Sequence, residues 1–144
     1  MFVAGGVGIN PIISIMSDIY ETNPTRRLEL LYSVKTIEEC LFRDRIMKLV
    51  DDSQGRIGAT IFLSNQIQRE ATSTPGMSYK DRRLGPADLE KALEGAGISR
   101  GVKDNDRVGQ DVFMCGPPSL EQAVMEYMTG IGFEESRIAF EKWW

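Results

Sequence analysis

Apolar and polar positions alternate in blocks along this chain, and the blocks change period. Met1 to Ala4 is a short apolar run that reads as the end of a buried strand, with upstream sequence expected to be lost. Beyond a glycine cluster, Asn10 is placed as an N-cap and Pro11 at the first helical position, where a missing N–H costs nothing. Ile12, Ile15, Met16 and Ile19 then recur at helical spacing, and Asn23-Pro24 ends the helix. Leu28 to Val34 reads as a second strand, interrupted only by Glu29. Thr36 and Glu39 have the spacing of a capping box, which predicts a helix through about Val50. Gln54-Gly55 is a turn, and Ile57 to Leu63 is the third strand.

From Ser64 to Gly85 the apolar pattern dissolves around Ser73-Thr74-Pro75-Gly76, which predicts a long loop. Pro86 to Glu94 reads as a short helix with Leu89, Ala92 and Leu93 inward, followed by a second polar stretch from Gly95 to Gly109. Asp111 to Cys115 is the fourth strand, and Pro118 to about Gly130 a helix with Leu120, Ala123, Val124, Tyr127 and Met128 on one face. Arg137 to Trp144 is the fifth strand. Strands alternating with helices predict an α/β fold: a doubly wound parallel sheet of five strands with helices on both faces. Ligands of such sheets lie beyond the carboxyl ends of the strands, where the strand order reverses.

Composition narrows the chemistry. The 144 residues suit one domain spanning 1–144, and a net charge of −4 gives no footprint for nucleic acid. No apolar run approaches the roughly 20 residues that cross a bilayer, and no signal peptide is read at the start. Two cysteines, Cys40 and Cys115, make no disulfide framework. The chain has no histidine, which excludes Ser-His-Asp and Cys-His schemes and any histidine-based zinc site. No metal site is expected, and any chemistry must come from a cofactor.

Two motifs sit at strand-to-helix junctions. Gly5-Gly6-Val7-Gly8-Ile9-Asn10-Pro11 places glycines where backbone can approach a phosphate and a helix N-terminus favours the anion. The Rossmann fingerprint would have a third glycine at Pro11, so the match is incomplete, and a tight turn without ligand remains open. Cys115-Gly116-Pro117-Pro118 forces a sharp turn that leaves the thiol at the sheet edge, with a buried structural cysteine as the alternative. With strand order 3-2-1-4-5, both motifs flank the switch point and face one crevice.

Together these motifs make the sequence resemble the NAD(P)-binding half of the ferredoxin–NADP reductase superfamily, which carries a Gly-Gly-x-Gly-x-x-Pro loop and a later Cys-Gly-Pro. It is further similar to the oxidoreductase NAD-binding domain-containing proteins in Ala4 to Pro11, Leu31-Tyr32-Ser33, Cys115 to Pro118 and Phe140-Glu141-Lys142-Trp143-Trp144. The resemblance implies pyrophosphate contacts from Gly5, Gly6, Val7, Gly8 and Pro11, with Tyr32 and Ser33 near the ribose or phosphates. It implies that Cys115, beside Gly116 and Pro117, lies against the nicotinamide C4, and that Glu141 with Trp143 or Trp144 approaches the nicotinamide–flavin junction. Tyr32 as core and the tryptophans as a cover for apolar surface remain open.

Relatives that prefer NADPH place Ser-Arg after the third strand. Here Ser64 is followed by Asn65, the nearest cation is Arg69, and Lys35 is a second candidate, which leaves NADH and NADPH open with a lean to NADH. In the family, hydride passes to FAD on a preceding β-barrel domain, which is expected to be missing here. The expected cofactors are therefore NAD(P)H here and FAD on a missing or partner domain, with an unknown electron acceptor. The alternative is a stand-alone nucleotide-binding module or inactive fragment. The resemblance places the protein in mitochondria, otherwise in the cytoplasm.

Overall fold

The computed structural model describes residues 1–65, 75–99 and 111–141. Its centre is a parallel sheet of six strands: β1 (Phe2–Gly5), β2 (Leu28–Val34), β3 (Ile57–Leu63), β4 (Met77–Lys80), β5 (Val112–Cys115) and β6 (Ile138–Phe140). They lie in the order β4-β3-β2-β1-β5-β6, every pair parallel. The expected sheet had five strands. The sixth is β4, which pairs Ala59 with Met77 through Phe62 with Lys80 on the outer side of β3. Leaving β4 aside, the remaining strands follow the expected order, with the reversal between β1 and β5.

Among the described residues, four α-helices cover the two faces: α1 (Ile9–Thr22), α2 (Arg43–Asp52), α3 (Pro86–Gly95) and α4 (Pro118–Gly130). Side chains alternate across a strand, so each strand feeds both cores. Phe2, Ala4, Leu28, Leu30, Tyr32 and Ile61 pack with Ile12 and Met16 of α1 and Ile46 and Val50 of α2. Val3, Leu31, Phe62, Val112 and Met114 face Leu89 and Leu93 of α3 and Val124 and Met128 of α4.

Several element boundaries differ from expectation for local reasons. A 3-10 turn at Gly6–Gly8 starts the helical path early, so α1 opens at Ile9, before Asn10 can cap it. Asn10 Nδ2 instead donates to the Val7 carbonyl at 2.7 Å. The Thr36 side chain makes no cap bond, and the chain makes only a 3-10 turn at Ile37–Glu39. Phe42 then adopts a left-handed φ of 56°, which interrupts the helical path and delays α2 to Arg43. The last strand is three residues long, shorter than the expected 137–144: Arg137 ends a 3-10 turn, and Glu141 follows the strand. Arg137 is buried with Asp111, its Nε donating at 2.8 Å and its ring-facing guanidinium 4.1 Å from the Phe133 centroid, which anchors β6 beside β5.

Candidate functional site

Ala4 pairs with both Tyr32 and Cys115, so β1, β2 and β5 end level with one another. Above these ends lies a cavity of about 700 Å³, within the usual range for small-ligand sites. The glycine loop and the Cys115 turn both line it, as the order reversal between β1 and β5 requires.

The two loops touch backbone to backbone. A Cβ on Gly8 would overlap the Cys115 carbonyl, and one on Gly5 would stand 2.6 Å from Pro117 Cδ. Gly5 and Gly8 thus let one loop lie on the other. Gly6 differs: its φ is +53°, it is exposed, and a Cβ there would meet nothing within 4 Å. The open space above Gly6 forms a cradle on the cavity wall.

Two helix N-termini flank that cradle, and they are chemically unlike. α1 continues directly from the Gly6–Gly8 turn, the Ile9 N–H donating back to the Gly6 and Val7 carbonyls, and its N-terminal end is one at which an anion is favoured. At α4 the entry is Pro117-Pro118, which has no N–H to offer. The wall on that side continues with Ser119, Leu120 and Ala123, so it is mainly apolar with one hydroxyl. Beneath it the buried Glu121 accepts from the Gly116 N–H at 3.4 Å, which braces the turn.

Most expected site residues reach the cavity wall. Gly5, Gly6, Val7, Gly8, Ser33, Ser64, Cys115, Gly116 and Pro117 line it. Cys115 is 2% exposed and packs in the core beneath α1, so only an edge of the residue meets the cavity. Pro11 is half-buried inside the first turn of α1 and is not among the lining residues. Tyr32, expected on the crevice wall, is fully buried. Its hydroxyl donates to the Gly6 carbonyl at 3.0 Å and accepts the Leu41 N–H at 3.3 Å. Burial, ahead of the nearby Cys40 thiol, raises the Tyr32 hydroxyl well above the ordinary phenol range. It therefore stays protonated and holds the loop from below. Glu141 is exposed and does not line the cavity; its N–H donates to the Met114 carbonyl at 3.2 Å. Arg69 and Trp143, with Trp144, lie outside the described residues.

Sequence reasoning missed the far wall. Arg83 and Leu84 come from the segment read as loop, and Glu39 from the supposed capping box. With Lys35, Glu39 and Arg83 are the charged side chains lining the cavity among the described residues. Two adjacent arginines just before a Pro-initiated helix were the available signal. No cluster of metal-ligating side chains occurs among the described residues, and none of their helices is long and apolar enough to cross a membrane.

Comparison with known proteins gives the family and the fold. The oxidoreductase NAD-binding domain model matches residues 2–126. Oxidoreductase NAD-binding domain-containing protein 1 of Danio rerio is 29% identical over 152 residues, covering 100% of this chain and 52% of the relative. Among solved structures, the CS-b5R domains of human Ncb5or in the NAD+ form superpose with a TM-score of 0.71 at 20% identity, covering 98% of this chain and 36% of that one. A ferredoxin NADP+ reductase from Neisseria gonorrhoeae with bound FAD and NADP gives 0.62 at 22% identity, covering 97% and 54%. At these identities the structures establish the fold alone. The chain spans about half the length of the curated relatives it matches.

Proposed function

This chain belongs to the oxidoreductase NAD-binding domain family, and from that premise we propose that it is the dinucleotide-holding half of a flavin-dependent NAD(P)H oxidoreductase of the ferredoxin–NADP reductase type. The observation that carries the reading is the meeting of the Gly6 cradle and the Cys115–Pro117 turn on one cavity at the sheet's switch point. When bound, the dihydronicotinamide supplies a hydride, a proton with two electrons, to an oxidised FAD carried by another domain or a partner protein.

The chain's own residues bind and orient. Gly6 and the α1 N-terminus take the pyrophosphate, and Tyr32 fixes the loop that presents them. The apolar wall of Pro117, Leu120 and Ala123 receives the nicotinamide ring and excludes water from it. Cys115 sets the floor of that wall. Glu39 supports NADH as the partner, because a carboxylate accepts from a ribose hydroxyl and repels a 2′-phosphate. Lys35 and Arg83 are the opposing cations.

Calorimetric titration of the chain with NADH and NADPH tests this reading. The expected result is binding of NADH, weakened at least tenfold by Gly6→Val. Equal binding by the variant would overturn the pyrophosphate assignment. Rapid dye reduction by the chain without added flavoprotein would overturn the placement of FAD on another domain.

A further inference from the structure

Asp88 is held by more groups than a helix cap needs. It occupies the first turn of α3, where one carboxyl oxygen accepts the Gly85 N–H at 3.0 Å and closes the helix entry. That single bond would serve the helix. Yet the Asp88 side chain is 3% exposed and also receives Arg82 Nη1 at 2.6 Å, Arg82 Nη2 at 2.7 Å, and Lys80 Nζ. The Arg82 fork, against the opposing effect of burial, keeps the carboxyl far below the usual carboxylate range.

One carboxylate thereby gathers three points of the chain: the last residue of β4, residue 82 and the first turn of α3. Between these anchors run Arg83 and Leu84, the two residues of the segment that line the cavity. Arg82 Nη1 also donates to the Arg83 carbonyl at 2.9 Å, so the backbone of Arg83 is fixed by the same cluster. Arg82 and Lys80 spend their charge on Asp88. Arg83 is exposed and makes no ion pair among the described residues.

We propose that Asp88 is a positioning residue for the dinucleotide cavity, which presets Arg83 on the wall so that its guanidinium meets a phosphate of the bound dinucleotide. The inference rests on the function proposed above and adds two residues to it. Its physical basis is preorganisation: a wall segment already anchored loses less freedom when ligand arrives, and a planar guanidinium pairs with phosphate only when suitably aimed.

A double-mutant cycle on the full chain separates positioning from mere capping. Dissociation constants for NADH and NADPH are measured by calorimetry at two salt concentrations for wild type, Asp88→Asn, Arg83→Gln and the double variant. Each single substitution is expected to weaken binding about 5- to 10-fold, and the double variant to bind no worse than Arg83→Gln alone. Arg83→Gln should also flatten the salt dependence, because one phosphate contact is gone. The proposal is overturned if Asp88→Asn weakens binding as much in the Arg83→Gln background as in wild type, since Asp88 is then a cap only. It is equally overturned if Arg83→Gln binds like wild type while Gly6→Val does not, an outcome that leaves the dinucleotide reading intact. Wild type that binds neither dinucleotide removes both. Should Asp88→Asn fail to fold, Arg82→Gln loosens the same grip from a half-exposed side chain and runs the same cycle.

Discussion

Where β1 meets β5, the cavity is built from backbone: glycines laid against a Cys-Gly-Pro turn, with the Cys115 carbonyl where a Gly8 side chain would be. Where β2, β3 and β4 end, it is built from side chains: Lys35, Glu39, Ser64, Arg83 and Leu84, brought together from four separate stretches of sequence. The first half is a shape that few residues can make, and tolerates almost no change. The second is a set of charges and hydroxyls that can be altered singly without moving the chain. Under the proposed function, cofactor holding belongs to the first half, and discrimination between dinucleotides to the second.

The sharpest way to break this contrast is at Gly8. Gly8→Val places a branched side chain against the Cys115 carbonyl, and backbone on both sides has no room to give. A loss of about 3 kcal/mol or more is expected, seen as a Tm lower by on the order of 10 °C and no measurable dinucleotide binding. Lys35→Gln, in the other half, should shift affinity and leave Tm within about 1 °C. A Gly8→Val protein as stable as wild type would show that the two loops are not locked.

This division also explains what the sequence made legible. The backbone half announces itself because its geometry demands glycine and proline at fixed spacing, and Gly5 to Gly8 with Cys115 to Pro117 stand where the motifs put them. The side-chain half has no such spacing. β4 escaped because Met77-Ser78-Tyr79-Lys80 is four residues long, and only Met77 is buried. Its pairing comes from the unsatisfied edge of β3, a tertiary cause. The Thr36–Glu39 spacing fits a capping box, yet it is overridden by the Phe42 turn, and Glu39 is left on the cavity wall. Tyr32 was readable as wall or as core, since its hydroxyl could have faced either way. Only the position of the Gly6 carbonyl decides it.

A pH titration probes Cys40, the core residue that follows Glu39 and lies outside both halves of the cavity wall. Burial pushes the Cys40 thiol up to about 11, with Arg43 opposing, against 9.0 for an ordinary thiol. The folded protein therefore keeps the proton that the unfolded chain loses first. Stability from this source is complete below about pH 9, falls as pH rises, and stops falling near 11. The gap is equivalent to at most about 2–3 kcal/mol. Denaturation midpoints between pH 8.5 and 11 should fall more steeply in wild type than in Cys40→Ala. Parallel curves would remove Cys40 from the account.

The smallest effect expected is at the residue that joins the two halves. Tyr32 donates to Gly6 in the backbone half and accepts from Leu41, which follows the Glu39 segment of the other. Tyr32→Phe preserves the ring in the core and deletes only the hydroxyl, so the Gly6 carbonyl and the Leu41 N–H each lose one bond and keep a backbone partner, Ile9 and Glu39. The cost is about 1 kcal/mol. If the tie only stabilises, the loss appears in Tm and dinucleotide affinity is unchanged. If it also aims the Gly6 cradle, affinity for NADH falls roughly 5-fold, while Glu39→Gln changes the NADH-to-NADPH ratio by the same factor with or without the hydroxyl. Independence of that ratio would mean the halves share a wall but not their energetics. A ratio that moves only when Tyr32 is intact would mean that discrimination reaches the phosphate loop through this one hydroxyl.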